Sequence, residues 1–280
     1  MTDAVLTDRA ALARARARAA RKPALFLQEE AAADLHERLA MVNRSFTAPA
    51  VVTPWPDLWR RHLPEAEIVP DAEVLDLREG EHDLVIHALC LHWANDPVGQ
   101  LIQVRRALRP DGMFLATLFG GRTLWELRTA LAEAEAELTG GLSPRVLPMA
   151  DIRDLGALMQ RAGFALPVAD SLVRTATYLD TRALMRDLRA MGEANAMQAR
   201  RRGFASRALF ERSAGAYAST FGTPDGRIPA TFETICLTGW APGPGQPKPL
   251  RPGSAAARLA DALGTRETAL DDPANPPTDD

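Results

Sequence analysis

The chain has 280 residues, 33 basic and 36 acidic side chains, a formal net charge of −3 and 46% hydrophobic residues. That balance is ordinary for a soluble globular protein and gives no basis for wholesale nucleic-acid binding, which needs a strongly basic surface. No apolar run reaches bilayer-spanning length. Cys90 and Cys236, in apolar strand-like runs without CxxC spacing, read as core thiols of a reducing, cytoplasmic compartment.

Residues 1–46 predict a basic helix followed by an amphipathic one. Arg14, Arg16, Arg18, Arg21 and Lys22 lie among alanines. They read as an exposed face that meets solvent or an acidic partner. A transit peptide has a similar composition, and few bulky apolar residues oppose the charges, so any membrane association is weak and peripheral. Leu25, Phe26, Leu35, Leu39, Val42 and Phe46 mark the second helix.

Residues 47–241 read as an α/β domain. Ala50–Thr53 is a short strand closed by Pro54-Trp55-Pro56, and Asp57–Leu63 is a brief helix. Ile68-Val69 and Val74-Leu75 are short apolar pieces. Leu84–Leu91 has the composition and length of a buried strand. Asp96 then caps a helix with Pro97 at its first position. Arg109–Gly112 turns the chain into a second buried strand, Met113–Phe119. Strand, helix and strand with short turns form a βαβ unit, so the sheet is parallel and its ligand crevice lies beyond the strands' carboxyl ends. His92-Trp93 and Gly120-Gly121 border that crevice, each pair serving either a ligand or local packing.

Thr123 and Glu126 form a capping-box pattern for the next helix. Helices are predicted over Asp151–Ala162, Thr181–Met191 and Leu209–Phe221, with strands over Leu166–Tyr178 and Ala230–Trp240. Residues 181–221 form a helical insertion, and Arg200–Arg202 is a solvated basic loop. Residues 242–280 read as a Pro/Gly-rich tail with room for a short helix at Ala255–Leu263 and a disordered C-terminus, DDPANPPTDD. His87 and His92 share no simple strand face, so no metal site is expected. Asp83, Asp151 and Asp154 read as structural carboxylates.

The string LHWANDPVGQLIQVRRALRPDGMFLATLFGGRTLWELR resembles the central segment of class I S-adenosylmethionine-dependent methyltransferases. GGLSPRVLPMADIRDLGALMQRAGFALPVAD, LMRDLRAMGEANA and ATFETICLTGWAP extend the likeness. They point to the branch holding the malonyl-carrier-protein methyltransferase of biotin synthesis and a mitochondrial complex I assembly factor. The resemblance implies a Rossmann-like, seven-stranded, mostly parallel sheet with an antiparallel last strand. It implies S-adenosylmethionine as cofactor and places Arg145 and Asn195 beside a substrate pocket.

The departure is at the cofactor loop. Members carry an acidic, glycine-rich turn after the first strand, where the backbone approaches the cofactor. Here Ala50–Asp57 contains no glycine, and its two prolines remove amide donors. The stretch from Phe46 to Asp83 is about a helix and a strand short. Asp71 is the remaining candidate for an adenine contact, alongside its reading as a turn residue. The expected function is a diverged methyltransferase-family protein with a protein partner or substrate. Its alternatives are a non-catalytic scaffold or complex I assembly factor, and a protein-arginine hydroxylase.

Overall fold

The computed structural model describes residues 5–246. Helix α1 (Arg9–Ala19) and helix α2 (Phe26–Met41) precede β1 (Pro49–Thr53), α3 (Pro56–His62) and β2 (Glu67–Pro70). Next come β3 (His82–Ala88), a single 3-10 turn at Leu91–Trp93, α4 (Pro97–Ala107) and β4 (Leu108–Phe119). Helices α5 (Trp125–Thr139) and α6 (Ile152–Arg161) lead to β5 (Ala165–Tyr178). Helices α7 (Thr181–Ala190) and α8 (Arg207–Phe221) then precede β6 (Ile228–Trp240).

The six strands form one Rossmann-like sheet in the order β2-β1-β3-β4-β6-β5. Strands β1 to β4 are parallel, while β6 runs antiparallel to both β4 and β5. Strand alternation sorts the core. Ala50, Val52, Val85, Phe114 and Ala116 pack with Leu101 and Val104 of α4 and Leu155 and Met159 of α6. Val51, Leu84, Ile86 and Leu115 face the other way, onto Ala32 and Leu35 of α2 and Leu58 and Trp59 of α3. A fully buried Val or Ile contributes about 1.5–3 kcal/mol, so β3, buried along its whole length, anchors the sheet.

Several expectations are corrected. Among the described residues the sheet has six strands, one fewer than the family pattern, in keeping with the short stretch from Phe46 to Asp83: β2 runs to β3 through a loop with no helix. Val74-Leu75 belongs to that loop, which the amides of Gln100 and Gln103 pin by bonding Ala72, Glu73 and Leu75. The turn at Arg109–Gly112 lies inside β4. Leu108 already pairs with His82, and Asp111, at φ +63°, takes up the extra length as a bulge. Thr123 makes no capping box. Its hydroxyl donates to the Glu233 carbonyl at 3.1 Å, while Glu126 accepts from Thr231 across to β6.

The basic N-terminal helix is not a solvent-facing one throughout. Leu12, Ala15 and Ala19 are buried beneath it, and Asn95 Oδ1 accepts the Leu6 and Thr7 amides at 2.9 and 2.8 Å. Asp8 caps α1 and takes Arg200 and Arg202 at 2.9 and 3.1 Å, so that predicted basic loop is a clamp on the helix start. Both cysteines are free and buried, as read. No helix among the described residues is long and apolar enough to cross a membrane. The predicted helix at 255–263 lies outside the described residues.

Candidate functional site

A parallel sheet gathers its ligand-facing groups at the carboxyl ends of its strands. Here the end of β1 is Thr53, whose hydroxyl accepts the Trp55 amide at 3.0 Å. Trp55 is turned into the core at 7% exposure, and Pro54 and Pro56 line the surface. Asp71 follows β2 directly. Its side chain is 1% exposed and lies beneath α1: Arg9 Nη2 reaches Oδ1 at 3.0 Å, and Arg16 Nη1 binds Oδ2. Burial pushes the Asp71 carboxyl up, but the Arg16 and Arg9 charges outweigh it and hold the group below the usual carboxylate range.

Arg16 needs room to reach this position. Gly192 supplies it at φ +80°, since a Cβ there would stand 3.0 Å from Arg16 Cγ. A cleft of about 380 Å³ remains between α1 and the strand ends, lined by Arg9, Arg16, Thr53, Pro54 and Asp71.

A second cavity, of about 230 Å³, opens beyond β4. Trp93, Phe119, Leu127, Leu131 and Phe232 form apolar walls, and Arg145, Glu193 and Asn195 supply polar groups. Glu193 Oε2 accepts Trp93 Nε1 at 2.6 Å and lies 3.2 Å from His92 Nε2. Burial pushes Glu193 up, but the His92 hydrogen bond and charge, then the Arg16 charge, bring it below the ordinary value. Arg16 therefore stands electrostatically between the two sites, acting on Asp71 and on Glu193.

The structure brings Trp93, Arg145 and Asn195 around this one cavity, with Asn195 Nδ2 donating to the Pro144 carbonyl at 2.9 Å. His92 lies behind the wall, 2% exposed and packed 5.0 Å from the Phe119 ring. Gly120 and Gly121 face elsewhere. A Cβ on Gly120 would meet the Glu233 carboxyl at 2.7 Å, and one on Gly121 would sit 3.6 Å from the Met149 carbonyl. Asp71 belongs to the cleft under α1 instead. Sequence reasoning missed Arg9 as a site residue, read Arg16 as exposed and overlooked Glu193. The available signals were the i, i+7 spacing of the two arginines and the lone carboxylate in GEANA.

Arg145 is held by Glu135, with Nη2 at 2.5 Å and Nε at 3.1 Å from its oxygens. That guanidinium, aided by Ser143 and opposed by burial, holds Glu135 at about 2. A depressed carboxylate contributes stability that is full above its unfolded value and lost as pH falls through the folded one. Urea midpoints should therefore fall more for wild type than for Glu135→Gln between pH 5 and pH 2. Equal losses would show that the cavity wall does not depend on this pair.

A family profile described as a methyltransferase domain matches residues 31–116. The chain is 38% identical over 199 residues to "Arginine-hydroxylase NDUFAF5, mitochondrial" of Danio rerio, covering 71% of this chain and 62% of that protein. It is 43% identical over 184 residues to the protein of the same name from Dictyostelium discoideum, covering 65% of this chain and 42% of that one. A "Malonyl-[acyl-carrier protein] O-methyltransferase" of Xylella fastidiosa (strain M23) is 38% identical over 179 residues, covering 64% of this chain and 58% of that protein. The chain thus spans less than two thirds of the length of each of these relatives.

Proposed function

We propose that this chain is a class I S-adenosylmethionine-dependent methyltransferase-family protein that serves as a partner-binding, assembly-factor-like member whose cofactor cleft is covered by its own helix α1. The observation that carries the reading is the Arg9–Asp71–Arg16 cluster at the carboxyl ends of β1 and β2. S-adenosylmethionine is the donor such a domain uses in general. It needs amide donors at the turn after β1 and a carboxylate for its adenosyl half. In this chain Pro54 and Pro56 offer no N–H, Trp55 is packed inward, and both Asp71 oxygens are committed to arginines. These residues do not fit the cofactor while α1 is seated.

Titration calorimetry with S-adenosylmethionine on the full chain tests this. No saturable heat at millimolar ligand, with a folded sample, is the expected result. One-site binding in the micromolar range, about −8 kcal/mol, would return the chain to conventional methyl transfer.

The cavity supports a second reading, hydroxylation of an arginine in a protein substrate; two of the relatives are named arginine-hydroxylases. Apolar walls suit an arginine's aliphatic stem, and the anionic Glu193 suits its guanidinium. Its test supplies an arginine-containing peptide with dioxygen and an external two-electron reductant, one oxygen atom entering the arginine C–H bond and the other leaving as water. A one-oxygen mass gain, abolished by Glu193→Gln, is the expected result. The buried free thiols fit work in a reducing compartment such as the cytoplasm.

A further inference from the structure

On α7, Arg182, Arg186 and Arg189 recur at i, i+4 and i+7, on one exposed face about 10 Å long at 1.5 Å per residue. Among the described residues none of the three has an ion pair. The carboxylates around them are already engaged. Asp180 caps α7 by accepting the Ala183 amide at 2.7 Å, Glu211 holds Arg207 at 2.9 Å, and Asp187 lies beside the Tyr178 phenol.

A row of arginines on a helix is ordinarily just a solvated face. This one runs into something. The groove of about 610 Å³ that it lines between α7 and α8 shares Met185, Arg189 and Phe210 with the apolar cavity beyond β4. Phe210 is 38% exposed at the junction. Unpaired positive charge therefore leads directly to an apolar recess.

We propose that this groove is the docking surface for an acidic segment of a partner protein, which lays carboxylates along Arg182, Arg186 and Arg189 and inserts one apolar side chain into the cavity. The inference rests on the partner-binding reading above and supplies the partner's chemistry. Charge complementarity selects the occupant. Carboxylates one helical turn apart match the arginine spacing, and a buried anchor beside rim charges is how compact interfaces divide affinity from orientation. A nucleic-acid backbone would match the charges, but it offers nothing apolar to the recess and would meet a chain of net charge −3.

The test uses fluorescence anisotropy on the full chain with a labelled helical peptide bearing Glu at i, i+4 and i+7 and one Leu. Controls are the same peptide with Gln for Glu, the same with Ser for Leu, and a single-stranded oligonucleotide. Saturable binding of the first peptide is expected, weakened at least tenfold by either peptide change, by raised salt, or by Arg182→Glu with Arg186→Glu. Both arginines are exposed, and a circular dichroism spectrum checks that the variant is folded. Absent binding, binding indifferent to the Glu residues or to the arginine variant, or equal binding of the oligonucleotide would overturn the proposal. The cofactor titration is read separately. A chain that binds both S-adenosylmethionine and the peptide refutes the covered cleft alone.

Discussion

Arg16→Ala should lower the unfolding free energy by about 3 kcal/mol, the low end of the cost of removing one partner from a buried ion pair. The low end applies because Arg9 still faces Asp71. Asp71 is 1% exposed, so without Arg16 its charge has one partner where it had two, and burial then weighs more heavily on its carboxyl. The acid limb should move as well. In wild type the depressed Asp71 contributes stability that is full above its unfolded value and lost only as pH falls through the lower folded one. In the variant the folded value rises, so this contribution is smaller at neutral pH and is exhausted at a higher pH on the way down. Urea unfolding at neutral pH and at pH 3 reads both effects. Replacing Arg16 and Asp71 together, Arg16→Met with Asp71→Leu, should recover part of the loss, since no carboxylate is then left buried, while Arg9 loses its Asp71 carboxylate and keeps Glu73 at 3.6 Å. An Arg16→Ala protein as stable as wild type would mean that α1 does not hold Asp71 in solution. The cleft would then be open to a cofactor, and the proposed function would fail with it.

The same cluster shows where sequence reading stops. Strands β3 and β4 were legible because their apolar runs are bounded by Asn95-Asp96-Pro97 and by Pro110-Asp111-Gly112, local chemistry that interrupts or bends a strand. The exact role of Pro110–Gly112 was not legible, since a bulge differs from a turn only through the pairing of Leu108 with the distant His82. Periodicity likewise assigns residues to a face of α1 without saying what lies opposite. Arg9 and Arg16 meet an aspartate 62 and 55 positions away, so nothing near them in sequence marks them as inward. Thr123 has a correct capping pattern, yet the backbone of β6, 110 positions on, captures its hydroxyl first. Of the candidate site residues, Trp93, Arg145 and Asn195 share a cavity because the 3-10 turn after β3, the loop before α6 and the segment after α7 converge there. That convergence is a property of topology. The missing glycines after β1 were plain in the sequence, but the helix lying over their place was not.

Glu193 is where the two sites meet, and its variants should separate hydrogen bonding from charge. Glu193→Ala should cost about 2–3 kcal/mol, because a buried donor left without its acceptor forfeits about 1–3 kcal/mol. Trp93 Nε1 loses its 2.6 Å acceptor, and the buried His92 loses its Nε2 contact. Glu193→Gln retains an oxygen for Trp93 but removes the negative charge that faces His92 and Arg16, so its cost should be smaller, about 1 kcal/mol, in line with a single net hydrogen bond. Urea unfolding gives the energies, and the Trp93 indole N–H resonance, assigned with Trp93→Phe, reports the contact itself. The signal should shift far in the alanine variant and little in the glutamine one. If both variants lose the same stability while the indole signal stays put in Glu193→Gln, charge rather than hydrogen bonding sets the role of Glu193. The Arg16 coupling would then be the dominant link between cleft and cavity. If neither variant loses stability, the carboxylate is solvated, and the cavity has no anionic wall with which to receive a guanidinium.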